Sequence, residues 1–184
     1  TVRHIPGFSR LLPMTVTWLS SYFRLICRHR LTYMTRSLED PQSQAILGLL
    51  LDTARQLGSI DHFNAVIHNC RALEVPKPLF DTDCVSNRLT GMARQRSCIF
   101  GKTWGLWHQD IQLKPDAIRP PEWIMDKNPS YQIRAIFKGK LRASILVLLK
   151  HNPDTGASES ALSRACGATR KAVREALDHL EFCR

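Results

Sequence analysis

Gly167 interrupts two runs of helical periodicity in SALSRACGATRKAVREAL, residues 160–177. A glycine there stops one helix and lets the chain turn sharply into the next. That break restricts the C-terminal part to short helices packed at an angle. The second run has two faces. At about 100° per residue, Arg170, Lys171, Arg174, Glu175 and Asp178 share one arc, and Ala172, Val173, Ala176, Leu177 and Leu180 the opposite one. The first arc is polar and the second would be buried, with three basic residues in the first turn and a half. Thr169 is placed to cap this helix, as Ser158 is for the one before it. Upstream, Leu141, Ile145, Leu148 and Leu149 recur at helical spacing, widened by Leu146 and Val147. That stripe predicts a central core helix ended by Asn152-Pro153.

The formal net charge is +10 and the pI about 9.7. The charge sits at the ends. Residues 1–38 hold six arginines and no acid, residues 39–132 are net −1, and residues 133–184 are net +5. Such a balance favours an anionic partner, nucleic acid or an acidic membrane face. The run LLPMTVTWLSSYF, residues 11–23, is apolar but short of the roughly 20 residues of a membrane span. Its flanking arginines also suit a transit peptide or a helix lying on a membrane surface. A packed helix burying Trp18, Tyr22, Leu25 and Ile26 is the expectation retained, with no stable membrane insertion.

Asp40-Pro41 reads as an N-cap followed by proline at the first helical position. Leu47, Leu50, Leu51, Ala54 and Leu57 then form one apolar stripe, and Gly58 is expected to close the helix in a left-handed conformation. Asp61 is expected to cap a second helix, 62–73, antiparallel to the first. Residues 75–130 lose this rhythm to repeated prolines. Short strands are expected near Ser97–Phe100 and Trp104–Trp107, and KPDAIRPPEW reads as an extended connector. Trp104, Trp107 and Trp123 would pin the connector to a neighbouring surface or line a small-molecule pocket.

Several chemistries lack a pattern. Gly101-Lys102-Thr103 ends like a P-loop, but Arg96 stands at the first-glycine position and no clear strand precedes it. There is no GxSxG, HExxH or DxDxDG pattern, so the chain is read as a non-enzyme without a cofactor. Asp81 and Asp83 are read as solvated turn residues. The six cysteines, Cys27, Cys70, Cys84, Cys98, Cys166 and Cys183, form no CxxC pair. Dispersed reduced thiols fit them better than zinc or disulfides.

A helix, a loop, a short helix, a glycine turn and a helix with a basic N-terminal half resemble the winged-helix branch of the helix-turn-helix DNA-binding proteins. With the turn glycine at Gly167, the motif's buried positions fall on Leu162, Cys166, Ala168, Val173 and Ala176, all small or apolar. Ser163 takes the place where the two helices touch. The resemblance covers only the C-terminal part. It implies that the last helix enters the major groove of duplex DNA, with Thr169, Arg170, Lys171 and Arg174 at base edges or phosphates. Without DNA, those cations are a solvated face shared with Glu175 and Asp178. One departure is plain. A wing hairpin should come next, yet Leu180, Phe182 and Arg184 could only begin a first strand, so the wing is truncated or absent.

The expected fold is therefore mainly α. A helical part, 1–75, would serve dimerisation or sensing. An irregular Pro/Trp-containing connector, 76–130, would lead to a three-helix winged-helix-like DNA-binding domain, 131–184. The expected function is a cytoplasmic transcriptional regulator, homodimeric, with scope for a small-molecule effector. The alternatives are a winged-helix-like protein–protein interaction module that does not bind DNA and, third, an enzyme or organelle-targeted protein whose helical tail is incidental.

Overall fold

A computed structural model describes residues 1–81 and 87–182. Asp83, Cys84, Cys183 and Arg184 lie outside them. The fold is mainly α. Along the chain run α1 (Leu11–Tyr22), α2 (Arg28–Arg36), α3 (Pro41–Gly58), α4 (Asn64–Ile67), β1 (Lys77–Pro78), α5 (Asn87–Gln95), α6 (Ile99–Trp104) and β2 (Leu106–Trp107). Next come α7 (Pro121–Lys127), α8 (Pro129–Ile136), α9 (Leu141–His151), α10 (Glu159–Cys166) and α11 (Arg170–Phe182).

The chain divides into two compact units that are not the three segments expected from sequence. The first comprises residues 1–21 and 38–118, the second residues 22–37 and 119–184. The stretch 76–118 thus groups with the helical part, and residues 22–37 with the C-terminal helices.

In the first unit, Asp40 caps α3 by accepting the N–H groups of Gln42 and Ser43. The burial of α3 is broader than one stripe: Ser43, Ala45, Ile46 and every residue from Gly48 to Ala54 are buried, whereas Leu47 is only half-buried and Leu57 exposed. A central helix covered on several sides loses the single-stripe pattern. The left-handed residue at its end is Ser59, with φ of 50°, not Gly58. Gly58 instead allows close approach, since a Cβ there would lie 3.2 Å from Ser20 Cβ.

A buried polar contact fixes α6 on α3. The Trp104 indole covers Gly48, where a Cβ would fall 2.1 Å from the ring. One helical turn on, the Trp104 N–H donates to Asp52 Oδ2 at 3.1 Å. Arg55 donates to the other carboxylate oxygen at 2.7 Å. A small residue with an acceptor four positions later matches the length of an indole laid along a helix. Trp104 therefore pins its segment, while Trp107 is half-buried beneath the Arg94 guanidinium and Trp123 is exposed beside that of Arg119.

Other local expectations need correcting. Cys98 caps α6 by accepting the Gly101 N–H, so Ile99 and Phe100 open a helix rather than a strand. Of the two stretches expected to be strands, Leu106–Trp107 is extended, pairing in parallel with Lys77–Pro78. The second helix shrinks to α4, after which the Asn69 and Cys70 N–H groups donate three residues back, to Val66 and Ile67, while the Asn69 side chain takes the Ala65 carbonyl. His68 bonds the Asn64 carbonyl, while Asp61 accepts a side-chain bond from Asn64 and caps nothing. In α1 the buried face is Leu12, Val16, Thr17 and Leu19, whereas Trp18 and Tyr22 are half-buried.

In the second unit, the end of the expected extended connector, residues 121–123, opens α7, which is followed by α8. Pro121 and Pro129 occupy their first turns, where a missing N–H costs nothing. The α8–α9 turn uses Gly139 at φ of 65°, and a Cβ on it would lie 2.4 Å from the Ile26 carbonyl oxygen. Residues 24–26 thus press on a turn that only glycine fits.

Candidate nucleic-acid interface

The core of the second unit is built by α9, α10 and α11. Leu141, Ile145, Leu162, Cys166, Val173 and Ala176 form one buried cluster, with Leu148, Leu149, Ala168, Leu177 and Leu180 packed partly against it. Four of the five positions expected to be buried are so, and Ala168 is partly so. Leu148, expected at the centre of its helix, is only half-buried, and Ile145 takes that place.

The Ser158 hydroxyl accepts the Ala161 N–H at 3.1 Å and so starts α10. Gly167 ends it at φ of 65°. The Ser163 hydroxyl donates to the Ala168 carbonyl across the turn, which is why a small polar residue suits that place. Thr169 accepts the Ala172 N–H at 3.2 Å and caps α11. The polar and apolar arcs of the last helix are realised: Val173 and Ala176 are buried, and Arg170, Lys171, Arg174, Glu175 and Asp178 are exposed.

The three cations share this outer face, and each has a partner. Arg174 makes two parallel bonds to the Glu159 carboxylate, at 3.0 and 2.9 Å. That pairing lowers the carboxyl pKa of Glu159 and raises that of Arg174. Arg170 donates to the Ser160 hydroxyl at 3.0 Å, and Lys171 lies 4.0 Å from Glu175. Exposed pairs contribute little to stability, the two-point Arg174–Glu159 pair being the firmest of the three, and all three face solvent, where another anion can reach them. The N-terminus of α10 therefore presents the arginines without locking them. Sequence reading missed Glu159 and Ser160 in this role, because their partners lie on the next helix.

A second neighbour was also missed. Gly167 is covered by α2: a Cβ on it would meet Tyr33 Cβ at 2.5 Å and Arg30 Cα at 3.4 Å. Beneath the turn, burial pushes the Cys166 thiol up to about 11, against the opposing pull of Arg30 and Arg134. Cys27 and Cys98 are likewise buried and free. Gly167→Ala is expected to destabilise this unit by at least about 2 kcal/mol, from left-handed strain in an L-residue and from the clash of the new Cβ with Tyr33. Thermal unfolding followed by circular dichroism measures it, and an unshifted midpoint would contradict the turn geometry.

The wing expectation changes. Leu180 and Phe182 lie in the last turns of α11, so neither begins a strand. Helical side-chain spacing persists to that point, and Phe182 is 91% exposed.

Charge is divided unequally. The second unit carries sixteen Arg and Lys against seven Asp and Glu, net +9; the first carries ten against nine, net +1. The first unit instead holds a cleft of about 710 Å³, lined by Leu12, Phe80 and Ile111 with His108, Arg96 and Lys114 among its polar groups. Burial, above all, keeps the His108 pKa below its ordinary value. Among the described residues, no group of three or more His, Cys, Asp or Glu is placed to hold a metal ion, and no helix is long and apolar enough to cross a membrane. Compared with protein-family models, curated proteins and solved structures, the chain has no match.

Proposed function

We propose that the protein is a sequence-specific DNA-binding regulator whose α11 enters the major groove. The observation that carries this reading is the face of α11. Arg170, Lys171 and Arg174 project from its N-terminal half, opposite buried Val173 and Ala176, on a unit of net charge +9. The major groove admits one helix, and arginine matches the paired acceptors of a guanine edge. A duplex phosphate or base edge takes the place of Glu159 on Arg174 and of Ser160 on Arg170. Thr169 lies at the start of the helix, beside the first phosphate. One helix of this length reads few base pairs, so a homodimer on two half-sites is the expected working form. The cleft in the first unit is where a small-molecule effector would enter. The working compartment is the cytoplasm.

The test is a titration of the whole chain on duplexes selected from a random pool and on unselected duplexes, across a salt series. Affinity is expected to fall with salt at a log–log slope near −0.9 per phosphate contacted. Arg174→Ala is expected to keep the helical circular-dichroism spectrum. If Arg174 reads a guanine, the variant loses about ten- to a hundredfold affinity on selected duplexes and relaxes preference at one base pair. If it holds only phosphate, the loss is equal on both duplexes and the slope shrinks by about one unit. A wild-type protein that leaves duplex DNA unbound at low salt would refute the function.

A further inference from the structure

The helix that covers the turn is itself basic. Arg28, Arg30 and Arg36 are exposed on α2, with no acid anywhere in the chain before Glu39. Burial and the neighbouring Arg28 lower the pKa of His29, so the positive charge of α2 belongs to its arginines. The buried side of α2 is marked by Thr35, whereas Tyr33, which touches Gly167, is 54% exposed. Arg30 sits beside the turn that precedes α11, its Cα 3.4 Å from where a Cβ on Gly167 would lie. The same glycine thus terminates α10, releases α11 and seats α2.

We propose that α2 is a second DNA-contacting element, in which Arg30, seated beside Gly167, holds a backbone phosphate of the duplex whose groove receives α11. This rests on the DNA-binding reading of α11 and assigns α2 the sequence-independent part of it. Backbone contacts fix a protein's register on the duplex without reading bases, and cations flanking the groove-bound helix can make them. Arg30, beside the turn that leads into α11, would supply such a cation. Arg28 and Arg36 extend the positive surface along the same helix.

The experiment compares the whole wild-type chain with Arg30→Gln and Arg30→Lys on a random-sequence duplex and on a pool-selected one, across salt. Circular dichroism verifies folding. Arg30→Gln is expected to weaken both duplexes alike, leave base preference intact and flatten the salt slope by about one unit. The affinity lost between about 50 and 200 mM salt then becomes roughly 3.5-fold smaller, which is one phosphate's share. Arg30→Lys, retaining charge and stem, is expected to keep the wild-type slope; a purely structural role would not separate the two variants by salt slope. An unchanged slope in Arg30→Gln overturns the proposal while leaving α11 in the groove, provided that Arg174→Ala still weakens binding. A wild type that leaves duplex DNA unbound removes both readings. Phosphatidylserine vesicles form the last arm: loss of vesicle binding in Arg30→Gln, with duplex binding unaltered, would assign α2 to a lipid surface and overturn the proposal.

Discussion

Trp104→Ala is expected to destabilise the first unit by about 3–5 kcal/mol, the range for removing a large buried aromatic side chain. Trp104 is 6% exposed and lies over Gly48 on the most buried stretch of the molecule. Its removal opens a void above α3 and strips one partner from the buried Asp52 carboxylate. Trp104→Phe separates these effects. Phe preserves most of the packing but lacks the N–H, so its cost should be nearer about 1.5–3 kcal/mol, that of a hydrogen bond to a charged group. Gly48→Ala approaches the same contact from the other side, because its methyl group would occupy space held by the ring. Hydrogen exchange reads the amides of α3 apart from those of α9. Exchange in α3 unchanged by Trp104→Ala would mean that the indole does not hold the two helices together.

Ile145→Ala should destabilise the second unit by about 2–5 kcal/mol, whereas Leu148→Ala should cost clearly less. Ile145 is 0% exposed at the centre of the α9–α10–α11 cluster, and Leu148 lies at its margin. Denaturant unfolding of both variants gives the ordering. The two substitutions remove comparable volume from one helix, so their difference reports the direction that α9 faces. Equal losses would show that Leu148 is as central as Ile145. Since α9 supports α10 and α11, Ile145→Ala should also weaken DNA binding as the second unit opens, with no altered base preference among molecules that remain folded.

Much of the second unit was legible because its signals are local. Ser158, Gly167 and Thr169 each act within a few residues of their own backbone partners. The two faces of α11 reflect its 3.6-residue period, and Val173 and Ala176 fell on the buried face accordingly. Asp40 and Pro41 declared the start of α3 for the same reason. Prolines misled between residues 115 and 130, because a proline that breaks a helix from within also opens one from its first turn. Pro121 and Pro129 do the second, and packing of the residues after each proline decides between the two outcomes.

By itself, then, the sequence determined where helices begin and turn, which face of α11 is apolar, and that the charge lies at the two ends of the chain. Each of these depends on neighbours within one or two helical turns. Tertiary structure decided the rest. It brought residues 22–37 onto the turns at Gly139 and Gly167, joining four of the six N-terminal arginines to the basic C-terminal helices in one unit of net charge +9. It set Trp104 over Gly48 with its N–H on Asp52, and it turned Glu159 and Ser160 toward the arginines of α11. These contacts join residues far apart in the chain or on different helices. Their energy comes from excluding water between surfaces and pairing the polar groups left inside, and no residue pattern along one helix records which surface it will meet.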